Sequence, residues 1–279
     1  MEQGNLAGVI DYTLPVPSAQ VKTCVLLAGL FADGTTMVRE PVRTRDHTEI
    51  ALQQFGADLS IRQRVISLAG RQRLEGRELL VPGDLSSAAF FLVAALLLPG
   101  SSLTITGVGL NPTRSALLDF LAAMGAPVKV LDIQEVGGEL IGNIGVRHAP
   151  VRGGTLEGAM TAALIDEIPA LAILGAVTES GLTVRDASEL RIKETDRIAT
   201  VVENMKRMGI DAEAAPDGLH VPGKQRFRAA ELDSYGDHRI AMAFSIAALA
   251  ADGPCTIKDA DAASVSFPEF YSSLSQIAS

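Results

Sequence analysis

The 279-residue chain has no tryptophan, three tyrosines and only two cysteines, and aromatics make up 4% of it. Stacking platforms for bases are therefore scarce, which argues against single-stranded nucleic-acid binding. Twenty-four basic residues against 33 acidic ones give a net charge of −9, the opposite of the clustered basic surface that nucleic acids select. Any anionic ligand must meet positive charge concentrated locally, so the positions of the basic residues carry information. Cys24 and Cys255 lie among apolar or β-branched neighbours with no CxxC spacing. Both are expected to pack in the core rather than to form a disulfide or hold a metal. Long apolar runs are also missing: the richest, Ala88 to Leu98, stops at Pro99-Gly100, short of the roughly 18 to 20 residues of a spanning helix. The opening MEQGNLAGVIDY has neither a basic n-region before an apolar core nor an Arg- and Ser-rich composition, so no targeting segment is expected and the location expected is the cytoplasm. No membrane and no nucleic-acid partner follows from this composition. With 47% hydrophobic residues the chain can bury one large or two modest cores.

What the sequence does have is a pattern repeated four times. AGLFADGTTMV, AALLLPGSSLTIT, LGAVTESGLTV and ALAADGPCTI each run from an apolar helical stretch through a turn glycine (Gly34, Gly100, Gly181, Gly253) into a β-branched segment. A second amphipathic stretch follows, and in the first three copies it stops at Gly56, Gly125 and Gly209. Such self-similarity indicates a fold assembled from one supersecondary unit.

Period-3.6 apolar patterns alternate with short β-branched runs, so each copy reads as strand, helix, strand, helix and further strands, an α/β (α+β) class. Ile198, Val201, Val202, Met205 and Met208 form one apolar stripe and predict a helix over Lys193–Met208, closed by Gly209. Residues 81–98 carry Pro-Gly-Asp near their start and end in SSAAFFLVAALLL, a run apolar nearly all round that is expected to be buried on most sides. Helices inside with sheet outside would satisfy both patterns. The weakest boundary falls around Gln72 to Glu78, giving an expected division into 1–75, a single unit, and 76–279, three units. The fourth copy ends at its second helix, SFPEFYSSLSQIAS, so a strand from elsewhere is expected to complete its sheet, and the chain reads as part of something larger.

The polar residues that open the helices are the candidate site. First-helix openers are Pro17-Ser18-Ala19-Gln20, Pro82-Gly83-Asp84-Leu85-Ser86-Ser87, Asp166-Glu167-Ile168-Pro169 and Gly236-Asp237-His238-Arg239. Second-helix openers include Thr44-Arg45-Asp46-His47-Thr48-Glu49 and Lys193-Glu194-Thr195-Asp196-Arg197. Capping or packing accounts for Asp84, Ser86 and Ser87. It does not account for Lys193, Arg197, His238 and Arg239, cations in first turns that oppose the helix dipole. An anion bound by N-terminal N–H groups and these side chains would offset them; an internal pair between Glu194 and Arg197 is the alternative. Asp166 opens the apolar stretch ALIDEIPALAILG, a setting for a general base or for a capping aspartate. His148 and His220 receive no role.

SAQVK (18–22), RDHTE (45–49), PGDLSSAAFFL (82–92), DEIPALAIL (166–174), ELRIKETDRI (189–198), GDHRIAMAF (236–244) and SFPEF (266–270) resemble, in order and spacing, 5-enolpyruvylshikimate-3-phosphate synthase. The resemblance covers essentially the whole chain, and ELRxKETDR with DHRxAM is its most specific part. It implies an inside-out α/β barrel of repeated β-α-β-α-β-β units, the enolpyruvyl transferase fold, with six units in two domains of three. This chain would hold one unit of the N-terminal-side domain and all three of the other, an incomplete copy. It further implies that Ser18, Ala19, Gln20, Arg45, Asp166 and Lys193 bind shikimate 3-phosphate. Gln20, Arg197, His238 and Arg239 would bind phosphoenolpyruvate. Asp166 would accept the proton of the attacking 5-hydroxyl and Glu194 would handle the proton at the enolpyruvyl methylene. No metal or organic cofactor is implied, and the complete family member would be a monomer.

Two departures stand out. Some relatives carry a lysine before Ser266-Phe267-Pro268, where this chain has Val265. The family's N-terminal segment, with its Lys-Ser and Asn-Ser-Gly-Thr motifs and a further arginine, has no counterpart, so the chain is expected to be a fragment, an internal start or half of a split enzyme, inactive without a complementing N-terminal segment. A non-catalytic remnant that binds a phosphorylated metabolite or a protein partner is a second reading. The UDP-N-acetylglucosamine enolpyruvyl transferase is a third, disfavoured because Cys24 and Cys255 sit in helix or strand patterns rather than on a loop.

Overall fold

The computed structural model describes residues 10–277; the first nine residues of the stretch considered for a targeting signal lie outside that range. Two compact units are distinguished: Met1–Val81 with Asn111–Arg114 and Gln134–Ile141, and Pro82–Leu110 with Ser115–Ile133 and Gly142–Ser279.

In the first unit β1 (Ile10–Thr13), α1 (Ala19–Gly29), β2 (Thr35–Arg39), α2 (His47–Gln54), β3 (Leu59–Arg62) and β4 (Val65–Ala69) follow one another. The sheet order is β1-β2-β4-β3, with β1 parallel to β2 and β4 antiparallel to both of its neighbours. Its core is Leu14, Leu26, Leu30, Val38, Leu52, Leu59, Ile66 and Leu68.

The second unit repeats this plan. It contains α3 (Leu85–Leu97), β5 (Ser102–Gly109), α4 (Ala116–Ala123), β6 (Val128–Val136) and β7 (Glu139–Arg147), whose residues 134–141 group with the first unit. Then come β8 (Gly154–Leu156), α5 (Gly158–Ala163), α6 (Ile168–Val177), β9 (Leu182–Val184), α7 (Arg197–Arg207), β10 (Glu213–Ala215) and β11 (Gly218–Val221). The chain closes with β12 (Glu231–Asp233), α8 (His238–Leu249), β13 (Thr256–Lys258) and α9 (Phe270–Ile277). The sheet order β10-β11-β9-β8, with β8 parallel to β9 and β11 antiparallel to both of its neighbours, reproduces the first unit strand for strand. In the second copy the sheet is β5-β7-β6, and a single parallel bridge, Gly83 to Val108, stands where the first strand would pair. The fourth copy has β12 parallel to β13 among the described residues.

The three second-helix glycines have the same local cause. Gly56, Gly125 and Gly209 take φ of +83°, +85° and +74°, a conformation in which a Cβ would crowd the carbonyl. At each, the glycine N–H and the next N–H return to the last turn: Gly56 to Gln53 and Ala57 to Leu52, Gly125 to Ala122 and Ala126 to Leu121, Gly209 to Lys206 and Ile210 to Met205, all at 2.9–3.0 Å. These paired bonds satisfy carbonyls that a helix end leaves open, so the repeat is written in hydrogen bonds as well as in sequence.

α3, α6 and α8, the first helices of the second to fourth copies, pack pairwise against one another. All of α3 except Ser87 is buried, as are Ile168–Ala176 of α6 and Ile240–Ala247 of α8. Helices that are apolar all round belong in such an interior, and burying each large side chain there is worth about 1.5–3 kcal/mol. Phe90, Phe91, Phe267, Phe270 and Tyr271 extend this core through edge-on and tilted ring contacts at 5.1–6.0 Å. Among the described residues no helix is long and apolar enough to cross a membrane.

Two expectations fail. The helix of the third copy starts at Arg197, because Asp196 caps it by accepting the Ala199 N–H at 3.0 Å, while Lys193 is extended. Cys24 is exposed and Cys255 only half-buried. The inward stripe of α1 is Lys22, Leu26 and Gly29, and Cys24, two residues from Lys22, points roughly 200° around the helix from it.

Candidate active-site residues

In the second unit the loop before α6, the turn before α7 and the first turn of α8 converge on Arg197. Its side chain is 1% exposed. Nε donates to Oδ2 of Asp237 at 2.8 Å and Nη2 to Oδ1 at 3.3 Å. Nη2 also meets the Glu194 carboxylate, and Nη1 lies 3.5 Å from Oδ1 of Asp166. The anion expected to offset this buried cation is therefore supplied first by the protein, and the Glu194–Arg197 pair forms. Asp237 is fully buried. Besides Arg197 it accepts the Arg239 backbone N–H at 2.9 Å, capping α8, and the Thr195 hydroxyl at 3.1 Å. Burial pushes its carboxyl up, but the bonds and charge of Arg197 outweigh that and hold it below the usual carboxylate range.

Asp166 does not cap α6; Glu167 occupies that position, and its carboxylate accepts from the Ser86 hydroxyl. The Asp166 carboxylate, 17% exposed, instead faces two guanidinium groups, with Nη2 of Arg239 3.9 Å from Oδ2, and its backbone carbonyl accepts Nη1 of Arg239 at 3.0 Å. Among the described residues Arg239, 14% exposed, has no carboxylate closer than this, so it retains positive potential for a ligand. Glu194 keeps half of its side chain in solvent. Lys193 pairs with Glu189. His238 has Nδ1 3.9 Å from Oδ1 of Asp237. Burial, reinforced by the charge of Arg239, lowers its pKa and favours the neutral imidazole at pH 7. Asp84 accepts from the Ser87 N–H at 2.9 Å, an ordinary cap. His148 and His220 satisfy the Leu96 carbonyl and the Thr183 hydroxyl.

In the first unit Ser18 caps α1 by accepting the Val21 N–H at 3.3 Å and donates to Oε1 of Gln20 at 3.3 Å. Ala19 and Gln20 thus form the first turn of a helix, whose N–H groups and dipole suit an anion. Arg45 precedes Asp46, which is held by Arg43 at 2.7 Å, by Nδ2 of Asn111 at 2.9 Å and by Oγ1 of Thr113 at 3.2 Å. Sequence reasoning named Asp237 only as part of an opener and missed its grip on Arg197. It also passed over the buried Lys22. An aspartate before His-Arg, and a lysine on an apolar stripe, were the available signals.

A match to the family described as EPSP synthase (3-phosphoshikimate 1-carboxyvinyltransferase) spans residues 2–274. A 3-phosphoshikimate 1-carboxyvinyltransferase of Solibacter usitatus is 66% identical over 275 residues, 99% of this chain and 65% of the relative. The chain thus spans a little under two thirds of that relative's length. The solved EPSP synthase of Acinetobacter baumannii superposes with a TM-score of 0.90 at 41% identity, over 96% of this chain and 62% of that one. The enolpyruvyl transferase NikO of Streptomyces tendae, 23% identical with a TM-score of 0.78 over 96% of this chain and 63% of that one, shares the fold.

Proposed function

Because the chain belongs to the EPSP synthase family, we propose that it contributes to transfer of the enolpyruvyl group of phosphoenolpyruvate to the 5-hydroxyl of shikimate 3-phosphate, with release of phosphate. The observation that carries this reading is the bracketing of Arg197 by two carboxylates of different exposure, Asp166 and Glu194, beside the less compensated Arg239. The reaction needs that combination. The 5-oxygen bonds to C2 of phosphoenolpyruvate as the hydroxyl loses its proton and C3 gains one. Departure of phosphate with a proton from C3 then restores the double bond. Asp166, steadied by two guanidiniums, takes the hydroxyl proton; Glu194, open to solvent, exchanges the C3 proton. Arg197, Arg239 and neutral His238 receive phosphoenolpyruvate, and the fixed charges stabilise the anionic intermediate. Ser18, Ala19, Gln20, Arg45 and Lys193 are the proposed contacts of shikimate 3-phosphate, with Gln20 shared.

Residues 1–75 are read as one repeat of the N-terminal-side domain and 76–279 as the three-repeat domain. Turnover is proposed to require the family's N-terminal segment, the active form to be a monomer, and the cytoplasm to be its location. The test is phosphate release from shikimate 3-phosphate plus phosphoenolpyruvate, with the chain alone and with that segment taken from the Solibacter relative. Release only on mixing supports the proposal. No release on mixing, with both parts folded, removes it.

A further inference from the structure

Lys22 is fully buried. Its ammonium lies 3.0 Å from Oε1 of Glu40 and 2.6 Å from Oε1 of Glu49, and both carboxylates are themselves nearly excluded from solvent. A buried ammonium is costly to desolvate, and a well-packed apolar residue in its place is commonly as stable or more so. What the pairing fixes is geometry. Lys22 sits on the fourth residue of α1, Glu40 directly follows β2 and Glu49 lies in the first turn of α2. Oε1 of Glu40 also accepts both the backbone N–H of Thr44, at 3.1 Å, and its hydroxyl, at 2.5 Å. The hydroxyls of Thr23 on α1 and Thr48 on α2 meet at 2.6 Å. Asp46, on the other side of Arg45, is held independently by Asn111 and Thr113. Arg45 is therefore anchored through both of its neighbours, and one anchor runs back to the helix that carries Ser18, Ala19 and Gln20.

We propose that Lys22 is a positioning residue: through Glu40 it holds Thr44, and with it Arg45, in fixed register with the N-terminus of α1, so that a basic side chain and a helix dipole address one phosphorylated ligand. The identity of that ligand, shikimate 3-phosphate, rests on the function proposed above; the coupling of α1 to the Arg45 loop does not. Burial pushes the Glu49 carboxyl up despite the hydrogen bond and charge of Lys22.

Two variants of the chain, combined with the relative's N-terminal segment, test this. Lys22→Met removes the ammonium and keeps the stem. Thr44→Val removes the hydroxyl bond to Glu40 from a half-buried site and leaves the core intact. Amide hydrogen exchange reports residues 41–46, titration calorimetry reports shikimate 3-phosphate, and thermal melting reports the fold. Both variants are expected to speed exchange in 41–46 and to weaken shikimate 3-phosphate about tenfold, the scale of a hydrogen bond to a charged group, with the Thr44→Val melting point lowered by only a few degrees. Unchanged exchange in Thr44→Val overturns the coupling whatever the ligand, and it decides the matter if Lys22→Met does not fold. Faster exchange with unchanged affinity overturns the role in binding. Faster exchange in a protein whose wild type takes no shikimate 3-phosphate supports the coupling and overturns the assigned ligand.

Discussion

Replacing Asp237 by asparagine removes the main counter-charge of a fully buried arginine while preserving shape. The carboxylate accepts four donors: Nε and Nη2 of Arg197, the Arg239 N–H and the Thr195 hydroxyl. An asparagine keeps one acceptor oxygen and turns an NH2 toward donors. Breaking a buried pair in this way costs about 3–5 kcal/mol. Asp166 at 3.5 Å and Glu194 remain beside Arg197, so the expected loss is about 2–4 kcal/mol. Urea unfolding followed by circular dichroism at pH 7 measures it. The pH dependence has a definite sign. The folded-state pKa of Asp237 is depressed, so its contribution is complete above the unfolded value near 3.9 and is lost as pH falls through the folded value. The gap between wild type and Asp237→Asn should therefore be full at pH 7 and narrow below about pH 4. A variant within about 0.5 kcal/mol of wild type at pH 7 would refute the claim that Asp237 compensates Arg197.

Gly29→Ala would place a Cβ 2.5 Å from Oγ1 of Thr36, a clash inside the first unit expected to cost about 1–3 kcal/mol in the same unfolding assay; no loss would mean that α1 and β2 can separate freely. Arg239→Ala, in the complemented enzyme, should weaken phosphoenolpyruvate by about 2–5 kcal/mol, and an unchanged apparent affinity would place Arg239 outside the site. For His238 the lowered pKa predicts an imidazole NMR titration below the ordinary 6.5. Its stabilising contribution is present above that ordinary value and is lost as pH falls toward the folded one; a midpoint at or above 6.5 would contradict the burial argument.

The repeat was legible because glycines mark it. Gly56, Gly125 and Gly209 end three helices with the same pair of hydrogen bonds, and the apolar runs of α3, α6 and α8 are what an interior helix requires. The stripe from Ile198 to Met208 is buried as its spacing indicates. Less legible were features that depend on distant partners. The start of α7 was read four residues early, since charged residues in KETDR resemble a first turn until Asp196 is seen to cap it. Arg197 and Asp237 are forty residues apart, and no local periodicity joins them; the charge argument offered a bound anion or Glu194 as the partner of Arg197 but not Asp237. Lys22 carries a charge onto an apolar stripe, and only the return of Glu40 and Glu49 from later elements explains it. Cys24 failed because its neighbours are apolar while its direction on α1 is outward.

The central claim is that Asp166 performs proton transfer and is not merely a partner of two arginines. Phosphate release by Asp166→Asn, measured in the complemented enzyme together with its affinity for shikimate 3-phosphate, tests it most directly. The account predicts loss of turnover with shikimate 3-phosphate binding largely retained. Near-normal turnover in that variant would contradict it.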